Sequence, residues 1–440
     1  MLDTPQVTRH LAFQLSVITQ FYPPDYAATG QLIEELTHQL SKTGAQVNVW
    51  TGQPAYAFQQ ERAPHVECAS PNVMVRRSRV SQIWPRRIRG RAVNGLLFCV
   101  RTGLRLLRSV NRGDAILVTT EPPYLPVLAY LAHKCFRTTY ICLIYDLYPD
   151  VAVALNVVPE THLLTRLWNW FNQRVWRNAK CVIVLSSTMK QRVVARCPEA
   201  ADKVKVIHSW SNPREIYPRS KSNNWFAREY GFDRKFTVLY SGNMGRCHDM
   251  ETIMETAKQL RDYPFQFVFI GKGAKHQDCQ DVAAKWQLDN CTFLDFQDKE
   301  TLPYSLTACD LSLVSISPGM EGLVAPSKLY GILAAGRPVA TICEPHSYLR
   351  NLIDKAGCGA AFDNFDSKGL AAFIRYLAVN PSVVERMGQS GRDYLVRHFT
   401  PEEIARQYAE AIGLVRSQPP ALLANGSNVE VSATEQMPVF

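Results

Sequence analysis

The chain has 440 residues, of which 46% are hydrophobic and 20% charged, and a net charge of +10. This length exceeds one typical hydrophobic core, so two domains are predicted, and the composition excludes a disordered or fibrous protein. No apolar run reaches the roughly 18 residues of a membrane-spanning helix, and the N-terminus lacks the basic segment and cleavage site of a signal peptide. The twelve cysteines form no CxxC pair, so they predict buried free thiols in a reducing cytoplasm.

The first part of the chain alternates short apolar strands with helices. The strand "FQLSVITQFYPP" leads through the loop "DYAATGQ" into the helical pattern "QLIEELTHQLSKTG" and the strand "QVNVWTG". The same rhythm returns in "DAILVTTEPP", "TYICLIYDLYPD" and "KCVIVLSS". This alternation predicts a doubly wound parallel sheet over residues 10–213.

A basic helix is predicted in "VNGLLFCVRTGLRLLRSVNR". Its apolar residues recur at helical spacing, at Val93, Leu96, Leu97, Val100, Leu104 and Leu107. Its arginines share another side, at Arg101, Arg105, Arg108 and Arg112. Two interpretations stay open: a core-facing apolar stripe with a solvated cationic face, or a face that binds an anionic membrane or a lipid-linked acceptor. The stretch lacks the interleaved aromatic residues of a nucleic-acid stacking surface, so no nucleic-acid partner is expected.

The second part of the chain begins with a polar segment, residues 214–234, which predicts an interdomain linker. The strand and helix rhythm then restarts in "FTVLYSGN", "FQFVFIGKG", "CTFLDF", "CDLSLVSI" and "PVATICE". It predicts a second α/β domain over residues 235–400, a terminal helix over 400–417 and a disordered tail over 418–440. Two such domains in tandem place the carboxyl ends of their strands across a central cleft, where ligands should bind.

A short helix is predicted in "GLVAPSKLYGILAAGRPVA", residues 322–340. Ser327 occupies the N-cap position, and Gly336 and Pro338 end the helix. Unpaired N–H groups at its start and Lys328 would suit a phosphate, whereas the preceding Glu321 would suit the hydroxyls of a sugar. A nucleotide sugar combines both chemistries. The alternative is a capped surface helix with a solvated Glu and Lys.

Two glycine-bearing turns follow neighbouring strands, in "YSGNMGRCHDM" and "FIGKGAKH". Such turns let the backbone approach phosphate, Arg246 can pair with oxyanions, and Lys272 follows the second strand. Neither turn is a dinucleotide fingerprint or a Walker A sequence, so NAD and ATP are disfavoured. The chain holds no Asp-x-Asp sequence, and neither a metal nor another cofactor is expected.

These stretches, with the terminal "GRDYLVRHFTPEEI", resemble the family-four retaining glycosyltransferases of GT-B fold over roughly residues 14–415. The resemblance is to the bacterial exopolysaccharide and O-antigen type, which includes fucosamine-transferring enzymes. It implies two tandem Rossmann-like domains that face a central cleft. It also implies that the first domain, residues 10–213, binds the acceptor and that the second domain, residues 235–400, binds a nucleotide sugar.

The resemblance assigns roles to particular residues. Asp146 matches the acid of a His-Asp pair, and Glu321 matches the first carboxylate of an E-x7-E signature whose second position is Gly331. Asn243 and His248 fall where many relatives grip the diphosphate with Arg and Lys. The implied catalytic residues are Asp146 and Glu321. The implied donor site comprises Gly30, Asn243, Arg246, His248, Lys272, Glu321, Gly322, Leu323, Ser327 and Lys328.

The implied function is transfer of a sugar, with retention and without metal, from a nucleotide-diphosphate sugar. The expected acceptor is a polyprenyl-diphosphate-linked or other glycan in cell-surface polysaccharide biosynthesis. The enzyme would be cytoplasmic and peripheral on the inner face of the cell membrane. Two alternatives stay open: a nucleotide-sugar epimerase, and a catalytically weak nucleotide-sugar-binding scaffold subunit.

Overall fold

A computed structural model describes residues 12–25, 27–54, 63–78 and 88–414, with residues 88–92 described only as backbone. The predicted disordered tail, residues 418–440, lies outside these ranges. Residues 10–11 of the predicted first domain and residues 79–87 of the basic stretch also lie outside them. Among the described helices, none is long and apolar enough to cross a bilayer.

The first domain is built on an eight-stranded sheet with the order β3-β4-β2-β1-β5-β6-β7-β8. All neighbours are parallel except β3 and β4. Strands β5 and β7 are buried along their whole length, as expected of a parallel sheet covered on both faces. The strands are β1 (Gln14–Ile18), β2 (Gln46–Thr51), β3 (Val66–Ser70), β4 (Val73–Arg77), β5 (Ala115–Thr119), β6 (Thr139–Ile144), β7 (Cys181–Val184) and β8 (Val204–Val206).

The helices of this domain cover both faces of the sheet. They are α1 (Ala28–Lys42), α2 (Ile88–Leu106), α3 (Pro126–Phe136), α4 (Asp150–Ala154), α5 (Leu163–Asn178) and α6 (Ser187–Arg196). The crossovers through α2, α3, α5 and α6 all step in one direction across the sheet, whereas the crossover through α1 steps in the other. Because parallel crossovers are right-handed, α2, α3, α5 and α6 share one face and α1 covers the opposite face.

The second domain has a six-stranded parallel sheet with the order β11-β10-β9-β12-β13-β14. Its strands are β9 (Phe236–Ser241), β10 (Phe265–Ile270), β11 (Cys291–Leu294), β12 (Leu311–Ser315), β13 (Val339–Ile342) and β14 (Gly359–Phe362). Its helices are α7 (Trp225–Glu229), α8 (Glu251–Gln259), α9 (His276–Trp286), α10 (Leu302–Thr307), α11 (Lys328–Ala334), α12 (Tyr348–Ala356), α13 (Ser367–Val379) and α14 (Pro381–His398). The predicted architecture of two doubly wound α/β domains is confirmed.

The segment predicted as a linker is part of the second domain. It forms α7, whose Phe226 is fully buried, and the Asn224 amide donates a 2.7 Å hydrogen bond to the carbonyl of Tyr304 in α10. The polar composition of residues 214–234 favoured a linker, but two buried aromatic residues, Phe226 and Phe232, pack this segment against the domain.

The terminal helix α15 (Pro401–Ile412) returns to the first domain and packs against α1. Lys180 Nζ donates to the carbonyl of Ile412 at 2.6 Å, and the rings of Trp210 and Tyr408 meet at 6.3 Å. The last helix therefore connects the second domain to the first.

The short helix α11 ends as predicted. Gly336 has a φ of 63°, and Gly336 N and Arg337 N donate to the carbonyls of Leu333 and Ile332. This is a Schellman ending, which requires a left-handed residue. Ser327 occupies the N-cap position, but its side chain makes no capping hydrogen bond.

Candidate active site in the interdomain cleft

A cavity of about 1090 Å3 opens between the two domains. Its N-terminal wall is formed by α1 and by residues that follow β5 and β6, and its C-terminal wall by the loops after β9 and β12. Both walls lie at points where the strand order reverses, β1/β5 in one sheet and β9/β12 in the other. Such points are where ligands bind in open α/β sheets.

The cavity brings together six of the predicted site residues and leaves out five. The lining includes Asp146, Asn243, Arg246, His248, Ser327 and Lys328. Gly30, Lys272, Glu321, Gly322 and Leu323 do not line it.

Lys328 presents a buried ammonium to this cavity. Its Nζ has no hydrogen-bond partner among the described residues and lies 3.6 Å from the centre of the Tyr240 ring. Burial lowers the pKa of Lys328 to about 7. Burying an ammonium without a partner raises the free energy of its charged form. The site therefore favours the binding of an anion, which would stabilise the protonated form of Lys328.

Arg246 and Asn243 are exposed and line the same wall. They belong to the turn after β9, where Gly242 has a φ of 126° and lies beside the Lys328 side chain. A Cβ on Gly273 would lie 2.5 Å from the Asn243 Oδ1, so the glycines of the next loop leave room for this turn. Arg246 and Lys328 therefore form a cationic pair of side chains on one wall.

His248 lines the cavity but cannot serve as a cation at neutral pH. Burial and then the charge of Lys328 lower its pKa to about 3. Its Nδ1 lies 2.9 Å from the carbonyl of Ser315, so in the neutral ring Nδ1 carries the proton and Nε2 is left as an acceptor. A neutral His248 would not supply the positive charge of the lysine that many relatives have at this position, and its contact with the donor stays a prediction.

Glu321 is sealed between the domains and does not face the cavity. It is 1% exposed; Thr188 Oγ1 donates to its Oε1 at 2.5 Å, and Arg192 Nε donates to its backbone carbonyl at 2.7 Å. Both partners belong to α6 of the first domain. The predicted contact between Glu321 and the donor sugar stays a prediction; in this structure the side chain contacts the first domain and does not line the cavity.

Gly322 and Leu323 belong to the same interdomain contact. Gly322 has a φ of 75°, and a Cβ there would lie 2.9 Å from the carbonyl of Thr188. The carbonyl of Leu323 accepts a 2.9 Å hydrogen bond from Leu147 N. Both predicted donor-binding residues thus lie at the interdomain contact in this structure, and donor binding by them stays a prediction.

Two further predicted donor residues lie outside the cavity. Lys272 is exposed and forms an ion pair with Asp295 at 3.0 Å. Gly30 lies in α1, where a Cβ would come within 3.1 Å of the backbone of Phe21 and Tyr22. Gly30 therefore allows the β1–α1 loop to pack, while the neighbouring Thr29 lines the cavity.

The N-terminal wall carries carboxyl groups. Burial raises the pKa of Asp146, which follows β6, to about 6. Glu121, which follows β5, was missed in the sequence; it lines the cavity and accepts a 2.6 Å hydrogen bond from Thr29 Oγ1. Burial and then the charge of Asp146 raise the pKa of Glu121 to about 8. The two carboxyl groups therefore differ in protonation at neutral pH, with Asp146 ionised and Glu121 mostly neutral.

Of the four arginines predicted to share one face of the basic helix, two are exposed and two make contacts within the domain. Arg101 and Arg108 are exposed. Arg105 lies over the Trp50 ring at 5.0 Å, and Arg112 donates to the carbonyls of Leu106 and Leu107 at the end of α2. Arg105 thus contacts β2 of its own domain, and Arg112 caps the C-terminal end of α2.

One cysteine, Cys247, lines the cavity. All twelve cysteines are free, and eight of them are buried. Among the described side chains, no group of three His, Cys, Asp or Glu is arranged to hold a metal ion.

Family models match both domains in the order in which the sheets occur. The glycosyl transferase 4-like domain matches residues 28–210, and glycosyl transferases group 1 matches residues 222–394. The two matches together span most of the chain, and each contains one wall of the cavity. The chain is a GT-B glycosyltransferase.

Two curated relatives carry related names. A Pseudomonas aeruginosa protein named as a probable glycosyltransferase, WbjE, is 25% identical over 62% of this chain and 68% of its own length. An Escherichia coli K12 protein named as a presumed colanic acid biosynthesis glycosyl transferase, WcaI, is 30% identical over 41% of this chain and 44% of its own length.

Solved structures share the fold of the glycosyltransferase. Sucrose-phosphate synthase from Thermosynechococcus elongatus superposes with a TM-score of 0.72 at 18% identity, covering 91% of this chain and 98% of that one. HepE from Anabaena, solved with UDP-glucose, superposes with a TM-score of 0.67 at 14% identity, covering 92% and 100%. At these identities the likeness extends to the fold alone.

Proposed function

We propose that this glycosyltransferase moves a sugar from a nucleotide-diphosphate sugar to a lipid-linked or glycan acceptor in the assembly of a cell-surface polysaccharide. The reaction would proceed with retention and without a metal, at the inner face of the cell membrane. The relatives named for glycosyl transfer and colanic acid biosynthesis support the polysaccharide setting, and the UDP-glucose complex of HepE supports the donor class.

The observation that carries the proposal is the unpaired ammonium of Lys328 in the cleft. Together with Arg246 it offers two cations on the C-terminal wall. A diphosphate leaving group bound there would restore the charge of Lys328 and be stabilised as it departs. Fixed cations in a partly water-excluded site can supply this stabilisation, a task that a metal performs in other enzymes.

The chemical step follows from the opposed charges of the walls. As the bond between the sugar C1 and the phosphate oxygen breaks, positive charge develops on the sugar, where the ionised Asp146 would lie. The acceptor oxygen attacks C1 from the face that the phosphate leaves, and its proton passes to the departing phosphate oxygen. Configuration is then retained without a covalent enzyme intermediate.

Thermal unfolding in the presence of a panel of nucleotide sugars tests the proposal. A donor present at about 100 times its Kd should stabilise the folded state by about 2.7 kcal/mol. The variant Lys328→Met should lose this stabilisation, whereas Lys272→Met, outside the cavity, should keep it. Lack of stabilisation by every nucleotide sugar, or a trapped glycosyl-enzyme adduct, would contradict the proposal.

The same panel separates the alternatives. An epimerase would convert a bound donor without any acceptor, and a scaffold subunit would bind donor and leave it intact with every acceptor offered. Transfer to an acceptor glycan, with the product anomer assigned by NMR, would distinguish the proposed reaction from both.

A further inference from the structure

The cleft cavity has two ends with different linings. One end is lined by α1 as far as Lys42, and there Glu34 interacts electrostatically with Lys299, which precedes α10 of the second domain. The other end is lined by residues that follow β6, where Asp146 acts electrostatically on Cys247 of the second domain. The volume of about 1090 Å3 is above the range of roughly 300–1,000 Å3 that is typical of a pocket for one small molecule. The cleft therefore has room for two substrates.

The donor of the proposed function accounts for the end along α1. Leu302 and Leu306 of α10 and Ile332 of α11 line the cavity from the second domain. A Cβ on Gly331 would lie 3.3 Å from Leu306 Cδ1, so α10 and α11 are in contact. These apolar side chains suit a nucleobase, and α11 begins with Lys328, on which the diphosphate would bind. The end after β6 is then left for the acceptor.

Tyr148 forms a fixed aromatic surface at the end after β6. Its ring stacks on Trp168 of α5 with ring centres 6.2 Å apart and 18° between the planes, and Asn172 of α5 donates a 2.6 Å hydrogen bond to its carbonyl. The Trp168 ring also contacts Tyr124, with ring centres 6.5 Å apart. One face of the Tyr148 ring is thus covered, and the residue lines the cavity. A rigid aromatic ring can bind the apolar face of a pyranose with little loss of conformational entropy.

Two carboxyl groups lie near the Tyr148 ring, since Asp146 and Glu121 both act electrostatically on its phenol. Thr29 Oγ1 donates to Glu121 Oε2, so the proton of the neutral carboxyl belongs on Oε1, from which it can be donated to a sugar oxygen. The ionised Asp146 can accept from a sugar hydroxyl. This end of the cavity therefore offers an apolar surface, a hydrogen-bond donor and an acceptor, which together suit a neutral sugar.

The first domain offers no cation to an acidic sugar at this end. Among its described residues, Lys42 is the one Lys or Arg that lines the cavity. Lys42 is the last residue of α1, whereas Thr29 and Glu121 lie at the start of that helix. At a rise of 1.5 Å per residue, Lys42 is about 20 Å from Thr29 along the helix.

The cations that line the cavity from the second domain are also unavailable to an acidic acceptor. Arg214 forms an ion pair with α15, which packs on α1, and Lys299 interacts with α1. Arg246 and Lys328 would be occupied by the donor diphosphate. A carboxylate on the acceptor sugar would therefore face the negative charge of Asp146 without a positive partner, and like charges in contact disfavour binding.

We propose that Tyr148 and Glu121 bind the terminal sugar of the acceptor, and that they select an uncharged sugar over a uronic acid. The apolar face of the sugar would lie on the uncovered face of the Tyr148 ring, with its hydroxyl groups bonded to Glu121 and Asp146. The inference rests on the proposed function, because it takes the donor diphosphate to bind Arg246 and Lys328.

Saturation-transfer difference NMR with methyl glycosides tests this subsite without catalysis. The full chain is first saturated at pH 7 with inorganic pyrophosphate, which occupies the cationic wall. It is then offered methyl glycosides of neutral hexoses and N-acetylhexosamines, and those of the corresponding uronic acids. We expect at least one neutral glycoside to bind, and its uronic acid counterpart to bind about tenfold more weakly or worse.

Variants of Tyr148 test the aromatic surface. Tyr148→Ala should weaken binding of the neutral glycoside by about tenfold or more, because truncating a buried aromatic contact removes most of its binding energy. Tyr148→Phe keeps the ring and should stay within about threefold of the wild type. The matched control is Tyr263→Ala, because Tyr263 is a 48% exposed tyrosine outside the cavity. It should bind the glycoside like the wild type.

Three outcomes would overturn the inference: equal binding of neutral and acidic glycosides, equal losses in Tyr148→Ala and Tyr263→Ala, or no glycoside bound at all. The first and third use the wild-type chain, so they do not depend on the folding of a variant. Glycoside binding that requires Tyr148, in a chain that transfers no sugar, would refute only the proposed function. Sugar transfer with an acceptor KM that Tyr148→Ala leaves unchanged would refute only this inference.

Discussion

The two walls of the cleft differ in charge and in the domain that supplies them. The C-terminal wall offers the cations of Arg246 and Lys328, whereas the N-terminal wall offers the carboxyl groups of Glu121 and Asp146. A phosphate is attracted by the first wall, and hydroxyl groups or a developing positive charge are stabilised by the second. The separation implies that donor binding and sugar activation can be disrupted independently, one wall at a time.

The largest effect is expected on the cationic wall. Replacing Lys328 by Met keeps the side-chain length and removes the charge, so stabilisation of the leaving diphosphate is lost. We expect kcat/KM to fall roughly 10²–10³-fold, the range typical of removing one preorganised charge-stabilising group. Steady-state kinetics with the donor identified by thermal shift provides the measurement.

The matched control for this change is Lys272→Met. Lys272 follows a strand of the same sheet but is exposed and paired with Asp295 outside the cavity. It should leave kcat/KM within about twofold. Equal losses in the two variants would mean that general charge, not the position of Lys328, governs activity.

The carboxyl wall should respond less, and its two acids should respond differently. With a pKa of about 6, Asp146 is ionised at pH 7, so Asp146→Asn removes a charge and should lower kcat roughly 10–100-fold. With a pKa of about 8, Glu121 is mostly protonated at pH 7, and Glu121→Gln replaces one neutral group by another with an effect of a few-fold. Measuring kcat for both variants at pH 7 tests the difference.

The pH profile provides a second check on Asp146. Its pKa is raised, so its carboxylate is lost as the pH falls through about 6, and the wild-type rate should decline there. This acidic limb should vanish from the residual activity of Asp146→Asn and persist in Glu121→Gln. An acidic limb that survives in Asp146→Asn would assign it to another group.

Much of this arrangement follows from local sequence, and the rest depends on tertiary contacts. Arg246 and Lys328 were predicted because each stands at a strand or helix end that faces the cleft, whereas Lys272, at the end of a neighbouring strand, lies outside the cavity. Glu321 was misplaced because its partner Thr188 is 133 residues away, and no local pattern encodes that contact. Glu121 was missed because a single acid in "TTEPP" has no spacing that marks it.

Helix α2 shows the same limit for an amphipathic pattern. The pattern located the helix and its two faces, but which face is covered depends on the neighbour. Here small residues such as Gly95 and Gly103 lie on the packed side, and Leu96, Leu104 and Leu107 are left exposed. Periodicity alone favours the opposite orientation.

A more moderate effect on the cationic wall concerns pH and donor affinity. Free Lys328 has a pKa of about 7, and a bound diphosphate would raise it, so above pH 7 donor binding requires uptake of a proton. The Kd should be nearly constant below pH 7 and rise by up to tenfold per pH unit above it. Calorimetry between pH 6.5 and 9, in buffers of different ionisation enthalpy, measures both the Kd and the proton uptake.

Lys328→Arg is the control for this dependence. An arginine stays protonated throughout the range. The Kd of this variant for the donor should therefore not change with pH, even if the variant binds the donor more weakly than the wild type does. A wild-type Kd that is also independent of pH would show that the donor diphosphate does not contact Lys328.

The smallest effect concerns the loop that joins the two walls. Gly319 and Gly322 both have left-handed backbones, with φ of 78° and 75°, but only Gly322 approaches the other domain, where a Cβ would lie 2.9 Å from the Thr188 carbonyl. An alanine at either position should destabilise the folded protein by about 1–2 kcal/mol, because a residue with a Cβ is strained in the left-handed conformation. Gly322→Ala should add an overlap cost of about 1–3 kcal/mol, because α6 or the loop must shift. Urea unfolding should therefore show that Gly322→Ala is less stable than Gly319→Ala; equal stabilities would mean that the loop and α6 can separate without cost.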